Sequence, residues 1–218
     1  MAKYMIHVCN ARLWYVNRYL LPSMLMQGIN QDDITVYLDR ENEGCLTSCV
    51  KSFDSLRGLA GGTWHLQDDV IISSDFKDKT EQYDSGTVCA YCWEKDRRWM
   101  HRGRVSVDKM WYSFPCIRIP NQYAAGFVDW FNTFAVKDLG LQTLIRTGKY
   151  DDSLFMEYMA WHQKKEIVLN LRPNLVDHID YMIGGSQINS LRESRETPAA
   201  YFKEPELVEE LKRKLGKD

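Results

Sequence analysis

The 218-residue sequence predicts an α/β fold, a single domain in which helices cover a mainly parallel sheet. Three observations predict it. Short β-rich runs alternate with runs of helical spacing in the order β-α-β-α-β over the first 70 residues. The length suffices for one sizeable core, and no internal repeat or low-complexity stretch divides it. Acidic residues stand where strands end, the edge at which open α/β sheets bind ligands.

Taken in order, "YMIHVCN" (4–10) is a first strand. "ARLWYVNRYLLPSMLMQG" follows with Leu13, Val16, Leu20 and Met24 at helical spacing; Pro22 is expected to kink or divide this helix, and Gly28 to stop it. "DITVYLD" (33–39) is a second strand, and "CLTSCVKSFDSLRGL" (45–59) a second helix. "GGTWHLQ" is a turn and third strand, followed by Asp68 and Asp69. Right-handed crossovers are expected. Beyond the acids, "VIISSDF" is short and extended or helical, and "KDKTEQYDSG" (77–86) is polar and expected as a loop. "TVCAYCW" (87–93) and "MWYSFPCIRIP" (110–120) are extended, "NQYAAGFVDWFNTFAV" (121–136) is helical, and "DDSLFMEYMAWHQKK" (151–165) is a helix capped by Asp151 or Asp152. "EIVLNLRP" is a late strand. A domain over 1–183 is followed by a polar tail, 184–218, with a short charged helix.

A net charge of −2 excludes a protein that is basic throughout, so any affinity for a polyanion must be local. Seven Trp and twelve Tyr serve either packing or as platforms for sugar or base rings. The first residues lack a basic start followed by an apolar run, and no stretch of 18 apolar residues occurs, so neither a signal peptide nor a membrane span is expected. Six cysteines fit a reduced, cytoplasmic protein. Cys89-x-x-Cys92 with Cys45 and Cys49 invites a zinc site, but one pair has helical spacing and the other lies in a strand, whereas a zinc ribbon needs two tight turns.

The chemistry points to the strand ends. Asp39 closes the second strand, Asp68 and Asp69 follow the third, and Asp151 and Asp152 open a helix. Carboxylates gathered at one edge repel unless a cation or ligand donors offset them, and hard oxygen donors suit Mg²⁺ or Mn²⁺, which commonly hold a diphosphate. A solvated turn at Asp68–Asp69 and helix capping at Asp151–Asp152 are the plain alternatives.

The succession "CNARLWYV", "DITVYLD" and "WHLQDDV" resembles the GT-A class of nucleotide-sugar glycosyltransferases, whose fold is a Rossmann-related mixed sheet. The resemblance spans residues 4–183. In that class a D-x-D-like element ends a central strand and its last acid binds the metal. This implies Asp69 as metal ligand and Asp68 as donor or supporting contact; Gln67, where the first acid usually stands, is a departure. Asn10, Arg12 and Asp39 are implied to touch the nucleotide donor, a UDP-sugar such as UDP-glucose in the simplest reading. "PNLVDHIDYMIGGS" implies His178 as second metal ligand. "YDDSLFMEY" implies a catalytic base, Asp152 first and Asp151 second, and an inverting transfer; a retaining course is the alternative if no base stands opposite the leaving group.

The sequence is more specifically similar to the glycosyltransferases associated with modified DNA bases, the group of the base J glucosyltransferase and its phage relatives, which implies a hydroxymethylated pyrimidine in DNA as acceptor. "EKDRRWMHRGR" would serve it: Arg97, Arg98, Arg102 and Arg104 for phosphates, Trp99 for a stacked base. If phage-encoded, the enzyme would work in the host cytoplasm. Arg192 and Arg195 in the tail could reach donor phosphates. Competing readings are a glycosyltransferase of surface polysaccharide or glycan synthesis, a nucleotidyltransferase, and a non-catalytic nucleic-acid-binding module. Oligomeric state is not legible.

Overall fold

The first strand, β1 (Lys3–Cys9), is buried along nearly its whole length. Its side chains alternate between two apolar clusters: Tyr4, Ile6 and Val8 face one, Met5 the other. A strand that buries both faces must lie inside a sheet covered on both sides. In this computed structural model, which describes residues 2–91, 104–106, 114–148, 151–162, 167–171, 174–179 and 213, that is the case.

A 3₁₀ turn, Asn10–Arg12, leads from β1 into α1 (Leu13–Tyr15), a π-helical stretch (Val16–Leu20) and α2 (Leu21–Met26). Pro22 falls in the first turn of α2. Its missing N–H cannot serve the carbonyl four residues back, and the wider π register just before it lets the helix continue. Gly28 (φ 78°) ends the helix as its sequence position predicts.

The edge strand β2 (Ile34–Asp39) lies parallel to β1, and α3 (Cys45–Asp54) carries the chain to β3 (Gly62–Gln67), parallel to β1 on its other side. After the acid pair, β4 (Val70–Ile72) leaves this sheet. The segment expected as a loop begins with a helix, α4 (Phe76–Thr80). Its polar composition hides two anchors: Phe76 is fully buried, and the Thr80 hydroxyl lies 2.7 Å from the Tyr4 hydroxyl while donating to the Phe76 carbonyl.

There follow β5 (Thr87–Cys89), β6 (Arg104–Ser106), β7 (Cys116–Pro120), α5 (Asn121–Thr133), α6 (Gln142–Thr147), α7 (Asp151–His162), β8 (Ile167–Asn170) and β9 (Val176–His178). The seven-stranded sheet has the order β2-β1-β3-β7-β5-β8-β6. Five strands run one way; β7 and β6 oppose them. One apolar cluster, with Tyr15, Leu20, Met24 and Phe76, packs the α1–α2 and α4 side. The other, with Phe53, Phe127 and Phe155, joins the sheet to α3, α5 and α7. No helix among the described residues is long and apolar enough to cross a membrane. The tail from 184 lies outside the described residues apart from Arg213.

Candidate active site

The carboxyl ends of β1, β2 and β3 form a common edge, with Cys9 opposite Asp39 in register. At the end of β3 the Gln67 N–H bonds to the Pro115 carbonyl (3.0 Å), and the chain turns through Asp68 and Asp69 into β4. There β4 pairs antiparallel with β9, setting Val70 opposite His178. The Ile179 N–H donates to the Asp69 carbonyl (2.9 Å), and the Tyr15 hydroxyl to that of Val70 (2.8 Å). A residue 109 positions further along is thereby brought to Asp69.

Both acids are buried, at 4% and 6% exposure, so their charges must be compensated locally. Asp68 accepts from the Cys9 backbone N–H (2.6 Å) and from Arg12 Nη1 (2.8 Å). The same Nη1 lies 3.0 Å from Asp69 Oδ2, and His178 Nδ1 stands 3.4 Å from that oxygen. Asp69 Oδ1 has no hydrogen-bond partner among the described residues. Burial alone would raise the Asp69 carboxyl, but His178 and Arg12 outweigh it and hold it well below the usual carboxylate range. For Arg12, burial opposes the charge and the two acids over-compensate, so it stays a cation. Burial and the neighbouring Asp68 push the Cys9 thiol up to about 11, so it stays protonated.

A second acidic centre lies close by. Asp151, at the start of α7, is 3% exposed, and Asp152 beside it is half-buried. The thiols of Cys45 and Cys49, one turn apart on α3, are raised first by burial and then by the charge of Asp151. Burial first and the charge of Asp152 second push the Asp151 carboxyl up to about 6. Burial also raises Asp152, whose Oδ1 accepts from the Ser153 N–H (2.6 Å). Cys45 links the two centres: after burial, its proton is held by the charges of Asp151, Asp152 and Asp69 together. The Leu46 N–H donates to the Gly148 carbonyl (3.0 Å), tying the start of α3 to the loop before α7.

The remaining predicted residues divide. Asp39 is buried at the same edge, but its Oδ1 accepts from the Glu43 N–H (3.1 Å) and so also shapes its own loop. Asn10 is exposed in the turn after β1, and Gln67 is half-buried at the end of β3. The backbone of Arg104 pairs with Leu169 at the far side of the sheet. Arg97, Arg98, Trp99, Arg102, Arg192 and Arg195 lie outside the described residues, as does Cys92. Sequence reasoning passed over Cys9 as a site residue and weighed Cys45 and Cys49 only as zinc partners. The spacing of Cys45 and Cys49, suited to one helix face, was the available signal. It also passed over His7, whose Nε2 lies 2.5 Å from the Ser48 hydroxyl beneath the site.

Among the described residues no group of three or more His, Cys, Asp and Glu is placed to hold a metal ion. Asp69 and His178 nevertheless form a pair of donors on a shared face, and the buried Oδ1 of Asp69 lacks a partner. Two protein ligands suffice for Mg²⁺-type sites, where substrate phosphates and water complete the shell. No protein-family model matches the chain, and no curated protein matches it.

Proposed function

We propose that this chain is a metal-dependent glycosyltransferase of GT-A type that moves a sugar from a nucleotide donor, a UDP-sugar first among candidates, to an acceptor hydroxyl. One observation carries the reading. The acid ending β3, Asp69, keeps a buried oxygen without a partner, and β4–β9 pairing sets His178 3.4 Å from its other oxygen. The mixed, mainly parallel sheet and the gathering of Arg12, Asp39 and Asp68 at the same strand ends support it.

Asp69 and His178 would hold Mn²⁺ or Mg²⁺, which supplies Lewis-acid charge for a leaving diphosphate. Asn10 and Asp39 at the strand ends would orient the nucleoside. The Asp151–Asp152 pair would supply the base. Asp152 is the member more open to an acceptor, and burial raises its carboxyl, which makes it the stronger base once ionised. Asp151, behind it, is the more buried of the two. A base set opposite the leaving group inverts the anomeric centre. The basic aromatic segment around Arg97–Arg104 is the sequence's argument for a DNA acceptor carrying a hydroxymethylated pyrimidine.

The test is a thermal-shift panel of UDP- and GDP-sugars with and without Mn²⁺, followed by product analysis. One donor is expected to raise the melting temperature only with Mn²⁺, Asp69→Asn to abolish that shift with the fold retained, and nucleoside diphosphate to be released. Release of pyrophosphate from a nucleoside triphosphate would identify a nucleotidyltransferase instead. The absence of any metal-dependent shift across the panel would overturn the proposal.

A further inference from the structure

The acid pair already has a cation. Arg12 Nη1 lies 2.8 Å from Asp68 Oδ1 and 3.0 Å from Asp69 Oδ2. Nε and Nη2 of the same guanidinium have no partner among the described residues. They carry three further N–H donors in a planar fork that suits phosphate oxygens. Asp68 is fixed independently by the Cys9 backbone N–H, so it can hold Arg12 while Asp69 changes partner. Asp69 is the acid with the alternative partner: His178 Nδ1 stands 3.4 Å from the same Oδ2, and its Oδ1 is buried without a hydrogen bond among the described residues. A divalent ion taken up by Asp69 and His178 would share the Asp69 carboxylate with a guanidinium, and two cations on one carboxylate repel.

We propose that Arg12 is the resident counter-ion of Asp69 and cedes it to a divalent cation when a nucleoside diphosphate arrives, turning its outer N–H groups to the phosphates while Asp68 keeps the pivot. This rests on the metal site proposed above. Metal and diphosphate then bind cooperatively: the cation meets resistance until an anion takes Arg12 away, and the anion gains Arg12 only once the cation has taken Asp69. Arg12 is in this account a phosphate-binding residue with two alternative partners.

The test measures Mn²⁺ binding to the full chain by the electron paramagnetic resonance of free Mn²⁺, with and without UDP. In the parent, UDP is expected to tighten Mn²⁺ at least tenfold. Arg12→Gln is expected to bind Mn²⁺ alone at least fivefold more tightly than the parent, and to lose most of the tightening by UDP. Asp69→Asn should abolish binding in both backgrounds. Equal or weaker Mn²⁺ binding by a folded Arg12→Gln overturns the exchange but leaves the metal site standing. Absence of Mn²⁺ binding in every form, with UDP present, overturns the exchange and the metal site together. Because Arg12→Gln leaves two buried acids poorly compensated, the parent supplies an independent reading from the Arg12 Nε–H resonance. It should move with Mg²⁺ and UDP together and stay in place with Mg²⁺ alone; a resonance unmoved by the pair overturns the proposal.

Discussion

Asp151→Asn should stabilise this protein, and the size of the effect should depend on pH. The carboxyl is buried, with an ordinary value of 3.8 raised to about 6 in the folded chain. The folded state therefore binds its proton more tightly than the unfolded state. Below pH ~4 both states are protonated and the group costs nothing. As pH rises from ~4 to ~6 the unfolded chain ionises first, and stability falls across that window. Above pH ~6 the penalty is complete, at about 3 kcal/mol from ~1.4 kcal/mol per pKa unit. Asparagine has the same shape and no charge. Its amide faces the position where Asp151 Oδ2 now lacks a partner, an offset of about 1 kcal/mol. A net gain of about 2 kcal/mol at pH 7.5 is expected, which for a chain of this size is about 4–8 °C in melting temperature. Urea unfolding followed by tryptophan fluorescence at several pH values from 4 to 8 measures it. Near pH 4 and below, where the carboxyl costs nothing, only the offset remains and the variant should be about 1 kcal/mol less stable; the difference should change sign as pH rises and reach its plateau above pH 6. A loss of stability at pH 7.5, or a difference that does not change with pH, would refute the argument.

Two further predictions concern the frame around the site. Phe76→Ala removes the fully buried anchor of α4, and a cost of about 3–5 kcal/mol is expected in the same unfolding assay; a loss below ~1.5 kcal/mol would mean that α4 is not docked on Tyr4. Gly126→Ala would set a Cβ 2.1 Å from the Tyr158 hydroxyl oxygen where α5 crosses α7, costing about 1–3 kcal/mol. Adding Tyr158→Phe removes that oxygen and leaves the ring carbon at 3.2 Å, so the double variant should recover part of the loss. Strictly additive effects would show that the contact is not the cause.

The first half of the chain was legible because its signals are local. The run Tyr4–Cys9, the helical spacing through Met24, the stop at Gly28 and the turn before Thr63 each follow from neighbouring residues, and β1, β2, β3 and α3 lie where they point. The acids at the end of β3 were likewise visible, because a carboxylate between two apolar runs is itself an anomaly. α4 was not visible: only Phe76 and Thr80 touch the core, and two contacts make no periodic pattern. α6 (Gln142–Thr147) escaped for a similar reason, having no fully buried residue.

What only the tertiary structure decided is who meets whom. The sequence by itself determined that strands, helices and strand-end acids exist, since backbone propensity and side-chain alternation act over a few residues. It did not determine that β7 runs backwards between β3 and β5, because that placement depends on which apolar faces bury each other across the domain. Nor did it determine the partners of the acids. Arg12 reaches Asp68 across 56 positions, His178 reaches Asp69 through β9, and the thiols of α3 reach Asp151 across a hundred. A buried carboxylate must be compensated, which is a local rule; the group that compensates it is chosen by the fold, because only folding brings distant charges within a few ångströms.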